Sequence, residues 1–317
     1  MRLSPAVVSA LAVLLAACAP AIGDTVPRDT PAMPVPGKRA VEAAEPAAPS
    51  DGVPPAPAEG KPVAPEDAAE LARLLTAAES ALRDPARTPE SLADAGHWQQ
   101  VAYRKLVQRP ELVEPVIAAL PAELRAAARG NVLAGERLAA MHSPAKPAQP
   151  AETPAAPPTP GPLPKWRILT PPPADQLKAH YQEAEAATGV HWTYLAAVNL
   201  VETRMGRIRG DSVVGAQGPM QFMPPTWAEW GEGDVHDPRD AIMAAGRYLR
   251  WGGMPGDVDG AIFRYNRDVR YVDAVRAYAE QMQADPRAYY GYYHWQVYYA
   301  TGGDSVWLRE GYDATSG

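Results

Sequence analysis

Apolar side chains recur every three or four residues through two long blocks of the chain, the spacing that gives an α-helix one buried face. In the first block Leu71, Leu74, Leu75, Ala78 and Leu82 keep this rhythm, and Thr88-Pro89-Glu90 reads as a helix start. Pro110 and Pro121 interrupt the pattern, so residues 66–142 predict three or four helices. In the second block Asp175–Gly189 is an amphipathic helix closed by a glycine stop. The next, His191–Gly206, carries Tyr194 or Leu195, Val198, Val201 or Glu202, and Met205 on roughly one stripe. Further helices are expected near Thr226–Trp230, Pro238–Arg250, Val258–Tyr265 and Val269–Gln283. No stretch alternates as a half-buried strand does, and the residues after Tyr298 carry no legible pattern. The chain reads as mainly α.

Proline divides these blocks. Of 36 prolines, 12 fall in residues 19–65 and 12 in residues 144–173, among Ala, Glu and Gly. Such segments bury too little apolar surface to offset the entropy of ordering, so residues 19–65 and 143–173 are expected to be extended linkers. The aromatics lie elsewhere: seven of eight Trp, thirteen of fourteen Tyr and both Phe follow residue 164. The larger packed core therefore belongs to residues 174–300, with 301–317 as a tail and 66–142 as a small helical module. Three roles stay open for that module: presenting substrate, binding an envelope protein partner, or docking on the C-terminal region as a spacer.

A net charge of −7 gives no electrostatic footprint for nucleic acid. Six scattered histidines and one cysteine, without paired-cysteine or HExxH spacing, give no metal site, and no glycine-rich phosphate cradle suggests a cofactor. The N-terminus, MRLSPAVVSALAVLLAAC, has one basic residue and an apolar run too short to span a bilayer, which is a secretion signal. Its end, Leu15-Ala16-Ala17-Cys18, resembles the bacterial lipoprotein signal, in which residues 1–18 end at an acylated cysteine. That resemblance implies lipidation at Cys18 and a membrane-anchored protein of the cell envelope. Ala19 after the cysteine favours the outer membrane, facing the periplasm, over the outer face of the cytoplasmic membrane.

Glu202 is the residue whose placement asks for a chemical reason. It lies on or beside an apolar stripe, in the last turn of its helix, where burial and the negative end of the helix dipole both raise a carboxyl pKa. A glutamate so placed suits a general acid. The competing reading is an ion pair with Arg204, Arg207 or another arginine.

Four segments in order then carry a resemblance: Glu202-Thr203, GAQGPMQFMPPTW at Gly215–Trp227, DPRDAIMAAGRYL at Asp237–Leu249, and Tyr265-Asn266. Together, over roughly residues 175–285, they are similar to the lytic transglycosylases of lysozyme-like fold (goose-type, or soluble lytic type), which cleave peptidoglycan. Thr203 stands where the soluble type has Ser, Arg264 where it has Ala, and Glu202-Thr203-Arg204 looks closer to the murein hydrolase B type. The resemblance implies that Glu202 is a lone acid/base acting on the glycan strands of peptidoglycan. It further implies that Tyr265 hydrogen-bonds Glu202 or the sugar, that Asn266 helps to hold that geometry, that Met220 and Gln221 line the substrate cleft, and that Thr203 orients a neighbouring group or the sugar. Trp227, Trp230 and Trp251 have rings that could stack on sugar faces, but a tryptophan at helical spacing is more often core, so they are left out of the site. Two other readings remain at this point: a hydrolytic muramidase with Asp211 as its second carboxylate, and a non-catalytic envelope lipoprotein that binds glycan or a partner.

Overall fold

The computed structural model describes residues 52–142, 163–301 and 305–314. The signal segment, Cys18 and most of both proline-rich stretches lie outside the described residues. The fold is mainly α-helical. Its N-terminal block holds α1 (Ala68–Arg83), α2 (Ala93–Gln108), α3 (Val113–Ala119) and α4 (Ala122–His142), with 3₁₀ turns at Pro89–Leu92 and Pro110–Leu112. Helices α5 (Ala174–Thr188), α6 (Trp192–Thr203), α7 (Pro224–Trp230), α8 (Pro238–Trp251), α9 (Val258–Tyr265), α10 (Val269–Ala284) and α11 (Ala288–Tyr293) follow.

Local chemistry accounts for where these helices start. Asp67 caps α1 by accepting from the backbone N–H groups of Ala69 and Glu70. Asp237 does the same for Arg239 and Asp240 of α8, with Pro238 at the first position, where a missing N–H costs nothing. The helix α6 is different: every residue from Trp192 to Thr203 except Tyr194 is buried, as befits a helix that is apolar nearly all round. It forms the axis of the C-terminal half, packed between α5 and α10.

The 66–142 block packs directly on that half. Helix α4 lies along α10, α2 meets α11, and one apolar core runs through both blocks, from Leu71 and Leu106 to Val198 and Tyr278. Polar pins cross the same seam. Tyr292 donates to Asn131 Oδ1 at 2.7 Å, Trp295 Nε1 to Gln99 Oε1 at 2.9 Å, and the Arg287 guanidinium to the Leu82 carbonyl at 2.8 Å.

Two expectations need correction. Residues 52–65, read as linker, lie against the helices: Val53 is buried, Trp98 Nε1 donates to the Pro54 carbonyl at 2.7 Å, and Arg309 reaches the Ala58 and Gly60 carbonyls. A proline-rich segment has more carbonyls than N–H groups, so it can serve as an acceptor strip for donors elsewhere. Strands also exist. β1 (Arg167–Ile168) pairs antiparallel with β2 (Ile208–Arg209), and β3 (Val297–Ala300) with β4 (Ser305–Leu308), around a small core of Ile168, Ile208, Val297 and Leu308. Strands of two and four residues are too short to show alternation, and in β3 three of the four residues are buried. The segment 305–314 is thereby tied into the fold. Among the described residues no helix is long and apolar enough to cross a membrane.

Candidate active site

Glu202 occupies the last turn of α6 and is 5% exposed. The chain leaves the helix through three successive left-handed residues, Arg204 (φ 54°), Met205 (φ 60°) and Gly206 (φ 83°). For the two that carry a Cβ this costs about 1–2 kcal/mol each. Burial of Met205, and bonds from the Arg204 and Met205 N–H groups to the Leu200 and Asn199 carbonyls at 3.2 and 3.1 Å, hold the exit in place.

The ion-pair reading of Glu202 is not what the structure shows. Arg204 donates instead to the Leu200 carbonyl at 3.0 Å, and Arg207 is engaged by Glu310 and by the Tyr293 carbonyl at 2.9 Å. The neighbour of Glu202 is Tyr271 on α10, whose hydroxyl donates to Oε1 at 2.7 Å, while Oε2 is buried with no partner within the protein. Burial pushes the Glu202 carboxyl up to about 7, with the Tyr271 hydrogen bond pulling the other way. Near neutral pH the group is thus both an available acid and an available base.

The loop after α6 is fastened to this point through its backbone. Residues 218–221 form a tight turn closed by reciprocal bonds between Gln217 and Phe222 at 2.8 and 2.9 Å. Gly218 is required there twice over: its φ is +70°, and a Cβ would lie 1.9 Å from the Val235 carbonyl oxygen. The Pro219 carbonyl accepts from Thr203 Oγ1 at 2.6 Å and from Asn199 Nδ2 at 2.7 Å, both on α6. The next carbonyl, of Met220, accepts from the Tyr265 hydroxyl of α9 at 2.7 Å. The separate sequence segments therefore meet at one place, with the turn pinned between the helix of Glu202 and the helix of Tyr265.

This geometry reassigns several expected contacts. Thr203 and Met220 are fully buried: the Thr203 hydroxyl is spent on Pro219, Asn199 and the Gly206 N–H, which is the first of its two expected roles, while Met220 positions the turn rather than lining a cleft. Tyr265 stands within the field of Glu202 but spends its hydroxyl on Met220. The hydrogen bond expected from Tyr265 comes from Tyr271, a residue the sequence reading missed. One signal was available: Tyr271, Val275, Tyr278 and Met282 form the buried stripe of α10, and a buried tyrosine hydroxyl needs an acceptor. Gln221 is partly exposed at a left-handed φ of 51°, with its amide on the Gly218 carbonyl at 2.9 Å. Asn266 is buried at the end of α9, and its Nδ2, like Glu202 Oε2, lacks a partner within the protein. Asp211 is exposed and accepts from Gln217 Nε2 at 3.4 Å. Among the described residues no group of three or more His, Cys, Asp or Glu side chains is placed to hold a metal ion.

Replacing Tyr271 by Phe removes the one donor that favours ionised Glu202. The carboxyl pKa is expected to rise above that of the wild type, read by ¹³C NMR titration of the Glu202 side chain. An unchanged titration would mean that the Tyr271 bond does not tune the acid.

No family model matches the chain, and no solved structure matches it. Over 121 residues, 36% of its length, it is 26% identical to the membrane-bound lytic murein transglycosylase F of Thiobacillus denitrificans (strain ATCC 25259 / T1). The match spans about a quarter, 26%, of that relative's own length. Over about a third of its length, then, the chain is similar to a lytic murein transglycosylase.

Proposed function

We propose that the protein is a peptidoglycan lytic transglycosylase of lysozyme-like fold that cleaves the MurNAc-β-1,4-GlcNAc bond without water, leaving 1,6-anhydro-MurNAc ends. The observation that carries this is Glu202: one buried carboxyl, raised to about 7 by desolvation, with Oε1 held by Tyr271 and Oε2 uncommitted. The similarity to a protein named a lytic murein transglycosylase supports the substrate class.

The chemistry suits a lone acid. Protonated Glu202 gives its proton to the glycosidic oxygen as the C1–O bond of muramic acid breaks, and the leaving sugar departs as an alcohol. The carboxylate so formed then takes the proton of that muramic acid's own C6 hydroxyl as its oxygen closes on C1. One proton enters and one returns, so the enzyme is restored without a second carboxylate. An internal nucleophile also gains from proximity, with no water to position. Two-carboxylate glycosidases need a nucleophile or base opposite the acid. Asp211 is ill suited to that part, exposed in its loop and bonded to Gln217.

The test is mass spectrometry of sugars released from purified peptidoglycan by the full chain. Anhydro-muramyl ends are the expected product. Reducing muramic ends would replace this reading with hydrolysis, and no release of sugar would remove the enzymatic reading altogether.

A further inference from the structure

Trp251, at the last position of α8, is 59% exposed, whereas Trp98, Trp192 and Trp295 are each below 10%. Among the described residues it is the only tryptophan so open to water. Its ring is nevertheless fixed. It stacks on Tyr248 at 5.6 Å with the planes 18° apart, and Trp230 leans on it at 5.3 Å. Those supports are themselves held: Tyr248 donates to the Arg264 carbonyl at 2.9 Å, and Arg247 Nε to the Trp230 carbonyl at 2.9 Å. The row continues inward, since Tyr248 lies 5.6 Å from Tyr265, the ring that stands in the field of Glu202 and pins the Met220 carbonyl. Phe222 and Trp227 extend the same aromatic set at 6.0 and 5.6 Å.

We propose that Trp251, backed by Tyr248 and Trp230, is a carbohydrate platform that takes a sugar ring of the glycan strand at a subsite beyond the two reacting sugars. This rests on the reading of Glu202 as the acid of a glycan-cleaving site. A flat apolar face open to solvent and held rigid by its neighbours matches the C–H face of a pyranose, and little entropy is lost when the sugar settles on it. Charge of both signs also surrounds the support of this face, since Arg267, Arg264 and Glu229 all act on Tyr248 electrostatically. Continuity with Tyr265 points to glycan rather than to a protein. Through the buried ring of Tyr248, two steps of 5.6 Å connect Trp251 to Tyr265, the ring on which the charge of Glu202 acts.

The test uses the full chain carrying Glu202→Gln, so that the strand is bound and not cut. Its affinity for peptide-free glycan strands released from peptidoglycan by an amidase, and for the disaccharide GlcNAc₂, is measured by tryptophan fluorescence and calorimetry. Adding Trp251→Ala is expected to weaken strand binding about ten-fold, equivalent to about 1.4 kcal/mol, with disaccharide binding unchanged. Trp251→Phe should recover part of the loss. Equal strand affinity with and without Trp251 overturns the proposal, as does a Trp251→Ala chain that merely changes from dimer to monomer in sedimentation, which would make this face a contact between copies. In the Glu202 background, Trp251→Ala should raise KM on peptidoglycan with kcat kept. If that parent cuts nothing, the enzymatic reading fails on its own, and strand binding still decides the platform.

Discussion

Changing Glu202 to Gln is expected to lower glycan cleavage by about 10²–10⁴-fold, the usual share of a general acid, and at the same time to stabilise the folded protein at high pH. Both effects have one cause. In the unfolded chain the Glu202 carboxyl titrates near 4.5, whereas in the folded protein burial holds it up to about 7. Between these values the folded state keeps a proton that the unfolded state has lost, so wild-type stability falls as pH rises through the window and levels off above it. The full difference is about 3 kcal/mol at 1.36 kcal/mol per unit. The substituted glutamine resembles the protonated acid and carries no such slope: its oxygen accepts from Tyr271, and its amide takes the place of the uncommitted Oε2. Urea unfolding of both proteins should agree at pH 4.5 and diverge to pH 8, with the variant the more stable. Parallel curves at both pH values would show that Glu202 is not held in its neutral form.

How far this was legible in sequence depends on the range of the interactions involved. The helices were readable because caps and stripes are local: Asp237-Pro238 starts α8 where the pattern does, and α9 spans Val258–Tyr265 as expected. Glu202 was readable for the same reason, as one acid on the stripe of an apolar helix. What decides its chemistry was not. The Tyr271 hydroxyl reaches it across 69 residues, and the Thr203 hydroxyl turns inward to Pro219 only because the 218–221 turn folds back on α6. The role of Trp251 also depended on packing, since helical spacing alone put it with the core while the structure leaves it open to water. The strand pairs join residues far apart in the chain through segments too short to have a period.

Removing residues 1–162 is expected to leave a C-terminal chain that does not fold cooperatively, although the candidate site residues Glu202, Gln221, Tyr265, Asn266 and Tyr271 all lie within what remains. Helix α10 explains why. One side of it faces α6 and presents Tyr271 to Glu202, and its other side packs along α4. Arg270, the residue before Tyr271, donates to the Ala140 carbonyl at 2.6 Å, and Asp273 pairs with Arg137 at 2.9 Å. Without the N-terminal helices Tyr278, Tyr292 and Trp295 face water, at about 1.5–3 kcal/mol for each large side chain, and Tyr292 and Trp295 lose Asn131 and Gln99 as acceptors. The summed loss is comparable with the entire stability of an ordinary domain, about 5–15 kcal/mol. The truncated chain should therefore show no sharp thermal transition by circular dichroism, bind a hydrophobic dye, and release no sugar from peptidoglycan. Adding residues 52–142 as a separate peptide should restore the transition, because the core is continuous through the seam and not through the intervening chain. A truncated protein that melts cooperatively within a few degrees of the parent would refute this. The positioning of Tyr271 would then belong to the C-terminal half alone, and the N-terminal helices would be free to serve a partner instead of the acid.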